Sequence, residues 1–462
     1  MRWTVLRHFA ISCVLVAIGL PAMARTRPHY GGTIRIEIEG DPWQRPEGPA
    51  RRLVYDGLTA LDADGSARPA LAIEWKPDNN FHRWQFRLRP EVHFQDGSPL
   101  TSVAVAASLT ASCGADCPWA AVRSVGSMVV FTGDAAMPNL PVLLASNQFL
   151  ITLIVTADGR TPVGAIGTGP FQVTGFNDGV LALTANESCW QGRPFADGVE
   201  IRVRRPVRDQ WFDMGVGKAD VVEVPMEQMR QAEQQRLDVV VSPPLSLLAL
   251  QLVNSGTLAN PKLRGAIALA VDRSALYNVI FQKQGEVTAS LLPESLTGYS
   301  FLFPTDRDLN KAHELRGGQT PAVLTLSAEG GGAMQLAAQR IALNLREAGF
   351  NVQVTSASAA PHADLLLRRI PMEGGAPGAA LEQVLRNVGQ IGQFGQFGQA
   401  VVVPEQTPSA LLKAEQDFLS QKTVIPLLEL PRAYAVGGHI RDFKLHADGT
   451  PDFAGTSLED SQ

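Results

Sequence analysis

A change of period near residue 246 is the strongest constraint on how this chain folds. Before it, apolar residues recur at every second position in short runs; after it, short apolar runs alternate with long helical patterns. "GGTIRIEIEG" sets Ile34, Ile36 and Ile38 against Arg35, Glu37 and Glu39, the alternation of a strand with one buried face. "HRWQFRLRPEVHF" does the same with Trp84, Phe86 and Leu88 opposite Arg83, Gln85, Arg87 and Arg89. "GFNDGVLALTA" puts Asn-Asp-Gly between two extended runs, a hairpin signal, and "GVEIRVRRPV" is another alternating strand. From "SLLALQLVNSG" onward, "LRGAIALAVDRSALYNVIF" and "GGAMQLAAQRIALNLREAGF" read as helices between the strands "AVLTLSA", "NVQVTSA" and "ADLLLRR". That succession indicates a mixed or parallel sheet. The second half therefore reads as a separate α/β body, and 462 residues exceed what one ordinary core organises.

The first residues have a different purpose. Arg2 and Arg7 precede a charge-free run from Phe9 to Met23, which ends in Ala22-Met23-Ala24. This is the pattern of a secretory signal peptide over 1–24, the apolar run being short against the span of about 20 residues that a membrane helix needs. Residues 25 onward are expected as a soluble extracytoplasmic protein. The formal charge is −5, and cleavage after Ala24 would remove two arginines and no acid. An acidic chain without a basic block is a poor partner for nucleic acid. Cys113 and Cys117 in "SCGADCPW" are spaced for a short-loop disulfide, with two free thiols the alternative. Cys189 is left over, as a buried rather than a reactive residue.

Five blocks carry a family resemblance. "YDGLTALDADGSARPALAIEW", "FRLRPEVHFQDGSPLT", "GTGPFQVTGF", "NESCWQGRPFADGVEIRV" and "NPKLRGAIALAVDR" follow one another in the order and approximate spacing of the oligopeptide, dipeptide and nickel class (family 5) of ABC-transporter solute-binding proteins. The matching residues run from Tyr55, Gly57 and Leu58 through Trp75, Asp96, Gly97, Gly167 to Pro170, Asn186 and Trp190 to Arg264, Asp272 and Arg273. The chain thus resembles a two-lobed, class II periplasmic-binding-protein-like α/β fold, with mixed sheets and an extra subdomain inserted in the N-terminal lobe. The implied division assigns 25–55, 165–245 and 425–462 to lobe I, 56–164 to the inserted subdomain and 246–424 to lobe II. Most of the shared residues are expected to build scaffold: Asp96 and Gly97 a turn, Gly167 and Gly169 unusual backbone angles, Trp75 and Trp190 packing. "RRIPMEGGAPG" departs from the family where peptide binders place an acidic residue for the ligand's ammonium, and Ala104 stands where the family usually has Asp. An anionic ligand is therefore open to it.

Catalytic signatures are missing from the sequence: there is no G-x-S-x-G elbow, no phosphate loop ending in Gly-Lys-Ser/Thr and no H-E-x-x-H. "GAIGTG" precedes a strand and Pro170, so it cannot open a helix over a dinucleotide. The histidines are scattered without metal-ligand spacing, and neither metal nor cofactor is expected. The resemblance implies a binding component of an ABC importer that takes a peptide or other small polar or anionic solute and passes it to permease subunits in the inner membrane. It implies a periplasmic protein, expected to be monomeric and without catalysis. A divergent binding-protein fold used for sensing or envelope scaffolding is the alternative, and a secreted enzyme of unrecognised type a more distant one. Ligand-contact candidates are residues just past strands that should end at a cleft: Asp41 and Trp43, Asn254, and Arg369 and Glu373. Trp43 would offer a flat apolar surface and Arg369 a forked donor for carboxylate. The Gly-Gln-Phe run at 390–399 reads as a surface loop.

Overall fold

The computed structural model describes residues 29–43, 48–62, 65–113, 117, 119–153, 166–318, 323–330, 332–356, 363–372, 377–389 and 407–459. The leader, Glu373 and the Gly-Gln-Phe run lie outside the described residues. A seven-stranded sheet takes β1 (Thr33–Glu37), β2 (Phe171–Asn177), β3 (Val180–Ala185), β4 (Gly198–Arg202), β5 (Val221–Glu223) and β6 (Asp238–Val241). A six-stranded sheet takes β7 (Ser246–Leu252), β8 (Glu286–Val287), β9 (Leu324–Ala328), β10 (Val352–Ser356), β11 (Leu365–Pro371) and β12 (Val424–Leu430). The next strand, β13 (Ala433–Val436), returns to the first sheet between β6 and β5. The spatial orders are β6-β13-β5-β1-β4-β3-β2 and β8-β12-β7-β11-β9-β10. The expected division at 424/425 falls inside β12, after its first residue, and the hydrogen bonds of β12 to β7 keep 425–430 in the six-stranded sheet.

Local chemistry explains the elements. Asp178 and Gly179 both have positive φ at the β2–β3 turn, as a tight hairpin requires. Burial of β7 is complete along "SLLALQL" because Leu248, Leu250 and Leu252 enter one core while Leu247 and Ala249 enter another. A strand covered on both faces reads as a continuous apolar run. Helix Pro261–Ala270 starts with Asn260 accepting from the Lys262 N–H at 3.0 Å and has proline in its first turn.

Between β1 and β2 lies a four-stranded antiparallel sheet of Ala72–Pro77, Arg83–Leu88, Met128–Thr132 and Ala121–Val125. Its core is aromatic: Trp119 lies 5.0 Å from Phe131 and 4.9 Å from Phe149, ring centre to ring centre, and the Trp84 indole N–H donates to Met137 O at 2.9 Å. Cys113 and Cys117 are bonded, their Cα atoms 5.2 Å apart. Cys189 is buried, and that burial pushes its thiol up to about 11.

Glycines at 167 and 169 owe their place to contact rather than to the unusual dihedrals expected of them, for neither has a positive φ. A Cβ on Gly167 would stand 2.0 Å from Val54 O and 2.6 Å from Tyr55 Cδ1; one on Gly169 would stand 2.7 Å from Val54 C. Gln95 closes this junction. Its side chain accepts from the Gly167 N–H at 3.0 Å and donates to Phe171 O at 2.7 Å and to Val54 O at 3.1 Å. Asp56 accepts from Thr168 Oγ1 at 2.8 Å and from the Trp190 indole at 2.9 Å, and Arg89 lies 4.6 Å over the Trp190 ring. Trp75 packs on the inserted core with its ring centre 6.0 Å from Phe86. Gly167→Ala is expected to lower unfolding free energy by about 3 kcal/mol, because the nearest obstructing atom is the Val54 backbone carbonyl oxygen; urea denaturation beside Gly438→Ala, whose added Cβ meets nothing and whose φ is not positive, measures it.

Candidate functional site at the carboxyl edges of the two sheets

Strand direction locates the site. β1 runs parallel to β4 and β5, with Glu37 opposite Arg202 and Val222. These carboxyl ends share one edge, and the pairing of Glu223 with Tyr434 places that edge beside the start of β13. In the second sheet Ser246, where β7 begins, pairs with Pro371 and with Leu430, where β11 and β12 end. The chain crosses between the sheets at 242–245 and again at 431–432, so both sheets turn the carboxyl ends of their parallel strands toward the same crossings. Open α/β sheets bind ligands in the crevice outside such ends.

The crossings are stitched to each other. The Ser242 N–H donates to Arg432 O at 2.9 Å, the Arg432 N–H to Ser242 Oγ at 2.9 Å and the Leu245 N–H to Leu430 O at 3.0 Å. Pro243, Pro244 and Pro431 stiffen both segments. Together they make a two-stranded connection between the sheets.

Charged residues furnish both sides. At the first edge Glu37 is completely buried. Arg202 Nη1 lies 3.3 Å and Arg205 Nε 3.4 Å from its carboxylate, and Arg205 also reaches Asp213 at 2.5 Å. Burial, reinforced by Asp213 and opposed by Arg205, raises the Glu37 carboxyl above its ordinary range. Alternation in β1 predicted Glu37 on an exposed face. A central strand flanked by β4 and β5, with the arginine pair drawn over it, buries both faces instead. Glu223 accepts from the Glu39 N–H at 2.7 Å, and its own N–H donates to Gln210 Oε1 at 3.0 Å; burial raises its carboxyl as well. At the second edge the exposed Arg369 donates to Ser246 Oγ from Nη2 at 3.1 Å, while Arg368 pairs with Glu329 at 3.4 Å. Glu227, between β5 and β6, spans to the other body: its carboxylate accepts from the Ala333 N–H at 3.4 Å, at the start of helix Ala333–Glu347.

Sequence-expected contact residues distribute unevenly over this geometry. Asp41 and Trp43 follow β1 at the crevice edge. The Asp41 carboxylate accepts the Trp43 N–H at 2.7 Å, and Trp43 is half-buried, its ring centre 6.1 Å from Tyr55. Arg369 lies at the matching edge of the second sheet. Asn254 does not: β7 runs antiparallel to β11, so its carboxyl end lies at the far edge from the crossings. There Asn254 Oδ1 accepts from Arg264 Nη1 at 3.0 Å. The same edges also carry Glu37, Arg202, Arg205, Glu223, Ser246 and Glu329, which the sequence did not single out, and Arg368, which stands beside Arg369 in it. The one available signal was the arginine run "IRVRRPVRD" directly after a strand; strand direction, which selects the rest, is not written in local pattern.

This architecture is a two-lobed α/β fold with a mixed sheet in each lobe. The family profile "Bacterial extracellular solute-binding proteins, family 5 Middle" matches residues 66–375, and the chain belongs to that family. It is 24% identical over 281 residues to the glutathione-binding protein GsiB of Salmonella typhi, which covers 56% of this chain and 54% of the relative. The chain spans about half the length of that curated relative. Among solved structures, NikA from Brucella suis in complex with Fe(III)-EDTA superposes with a TM-score of 0.79 at 18% identity, covering 93% of this chain and 100% of the other. DppA from Helicobacter pylori in complex with peptide STSA superposes with a TM-score of 0.77 at 18% identity, covering 93% and 99%. These likenesses establish the two-lobed fold. No helix among the described residues is long and apolar enough to cross a membrane.

Ser242→Ala is expected to reduce unfolding free energy by about 1 kcal/mol, since it strips the acceptor from the Arg432 N–H at a 7% exposed site. Urea denaturation at neutral pH checks the value.

Proposed function

We propose that this protein is the solute-capturing component of an ABC importer, which shuts its two bodies over a small polar solute. It hands that solute to permease subunits without making or breaking a bond. The observation that carries this reading is the shared orientation of the two sheets: both present carboxyl strand ends to one doubled, proline-stiffened crossing. Two rigid bodies on such a hinge respond to a bridging ligand by a shift of population toward the closed form. Family membership supports the reading, as do relatives whose names and bound molecules are glutathione, a metal chelate and a peptide. Residues 1–24 act as a cleaved leader that delivers the chain, as a monomer, to the periplasm.

A ligand bearing a carboxylate fits the second edge best. Arg369 offers a forked guanidinium there, already oriented by Ser246. Glu223 and Asp41 across the crevice suit a cationic or hydroxyl-rich part of the same molecule. Small peptides, amino-acid conjugates and carboxylate chelates of metal ions share this chemistry.

Native mass spectrometry of the purified mature chain, followed by a thermal-shift screen of peptides, amino acids, opines and metal chelates, tests the proposal. A true ligand at one hundred times its Kd stabilises by about 2.7 kcal/mol, and the shift grows with the logarithm of excess. For that ligand Arg369→Ala is expected to weaken binding about tenfold or more, and Asn254→Ala to leave the affinity unchanged. Equal effects of both substitutions would remove the crevice assignment.

A further inference from the structure

Segment 226–229 of the first body is gripped by the second at more than one point. It follows β5, where the 3₁₀ turn Met226–Gln228 runs directly into helix Met229–Gln234. Met226 and Met229 are buried and belong to the buried cluster that also contains Phe281, Ala333, Met334 and Ala337 of the second body. Between the two methionines, Glu227 is bonded twice. Its backbone carbonyl accepts from the Gln282 side-chain amide, and its carboxylate accepts from the Ala333 N–H at 3.4 Å. The receiving side leaves room for that carboxylate. Helix Ala333–Glu347 begins at Gly332, which has no side chain to serve the first N–H groups, and such groups need an acceptor from elsewhere. Gly332 has a φ of +54°, and a Cβ on it would stand 3.0 Å from Glu227 Oε1. Glycine therefore permits the turn and keeps the place open.

We propose that segment 226–229 is a latch between the two bodies: with Glu227 seated on the Ala333 N–H the bodies are held together without any ligand, and they part fully only when this segment leaves its seat. The crossings at 242–245 and 431–432 join the bodies through the chain itself and cannot come apart. The latch is non-covalent and can. Its strength suits that use, because methionines pack adaptably rather than rigidly and an acceptor at a helix start is worth about 1 kcal/mol, with a further favourable contribution from a negative group at that end. A contact of this size shifts a population between two arrangements instead of fixing one. Loss of the carboxylate lowers the ratio of engaged to released molecules about fivefold. The latch acts in the ligand-free chain, so its test does not depend on which solute the crevice takes.

Pulsed electron paramagnetic resonance on the whole mature chain, without ligand, tests this. Nitroxide labels at Arg208→Cys and Leu343→Cys occupy exposed positions on helices Val207–Gly215 and Ala333–Glu347, one on each body, while Cys189 is buried. Glu227→Ala should lower the ratio of short to long label separations about fivefold, and Glu227→Gln, which keeps an acceptor oxygen, should restore most of it. Amide exchange gives a second reading: protection of Ala333 should fall about fivefold in Glu227→Ala, while Leu345 near the other end of the same helix keeps its value. A fall at Ala333 with unchanged label separations means a local cap that does not couple the bodies, and it overturns the proposal. An equal lengthening in Glu227→Ala and Glu227→Gln overturns it too. Should Glu227→Ala fail to fold, Gln282→Asn decides: it shortens the other bonding side chain by one carbon and suits the positive φ at that position. Longer separations in that variant support the latch, and unchanged ones refute it.

Discussion

The relation of the two sheets to each other depends on two adjacent crossings, 242–245 and 431–432, held to each other by backbone hydrogen bonds. A single crossing would let the bodies twist freely, whereas two paired strands restrict them mainly to one bending mode. Prolines at 243, 244 and 431 remove donors that would otherwise need partners and narrow the backbone's freedom. The crossings also determine which sheet edges face each other, because each sheet is entered and left at the carboxyl ends of its parallel strands. Placement of charge follows: Glu37, Arg202, Arg205 and Glu223 on one side, Ser246, Arg368, Arg369 and Glu329 on the other.

A second constraint holds the inserted body to the first sheet. The blocks that make the family recognisable meet at one point: Val54 and Tyr55, Gln95 of "FQDG", Gly167 to Gly169 of "GTGP", and Trp190 of "NESCW". Backbone lies against backbone there, which only glycine permits, and Gln95 satisfies carbonyl groups that the close approach would leave dry. Of these residues Tyr55 reaches toward the crevice edge, its ring centre 6.1 Å from that of Trp43. The most recognisable part of the chain is therefore its joinery.

Buried charge in this protein divides into two kinds. Glu37 is compensated by two arginines and orders the first crevice edge. Glu429 is buried with carboxylates acting on it, and burial is the main cause that pushes it up to about 7. Both arise because strands central to their sheets are covered on two faces, a condition that alternation within one strand cannot reveal.

The sequence by itself determined the class of structure, since period-two strands, helix-strand alternation and the block order from Tyr55 to Arg273 are local patterns fixed by side-chain spacing. It also supplied the Asn-Asp-Gly hairpin and the scaffold residues Trp75 and Trp190, whose roles follow from turn chemistry and size. Tertiary structure alone decided which strand ends meet. Asp41, Trp43 and Arg369 come to the crevice edge, while Asn254 is turned away because β7 runs antiparallel to β11. Strand polarity is a property of long-range pairing, set by which segments the crossings bring side by side. A residue's distance along the chain from its strand carries no record of that choice.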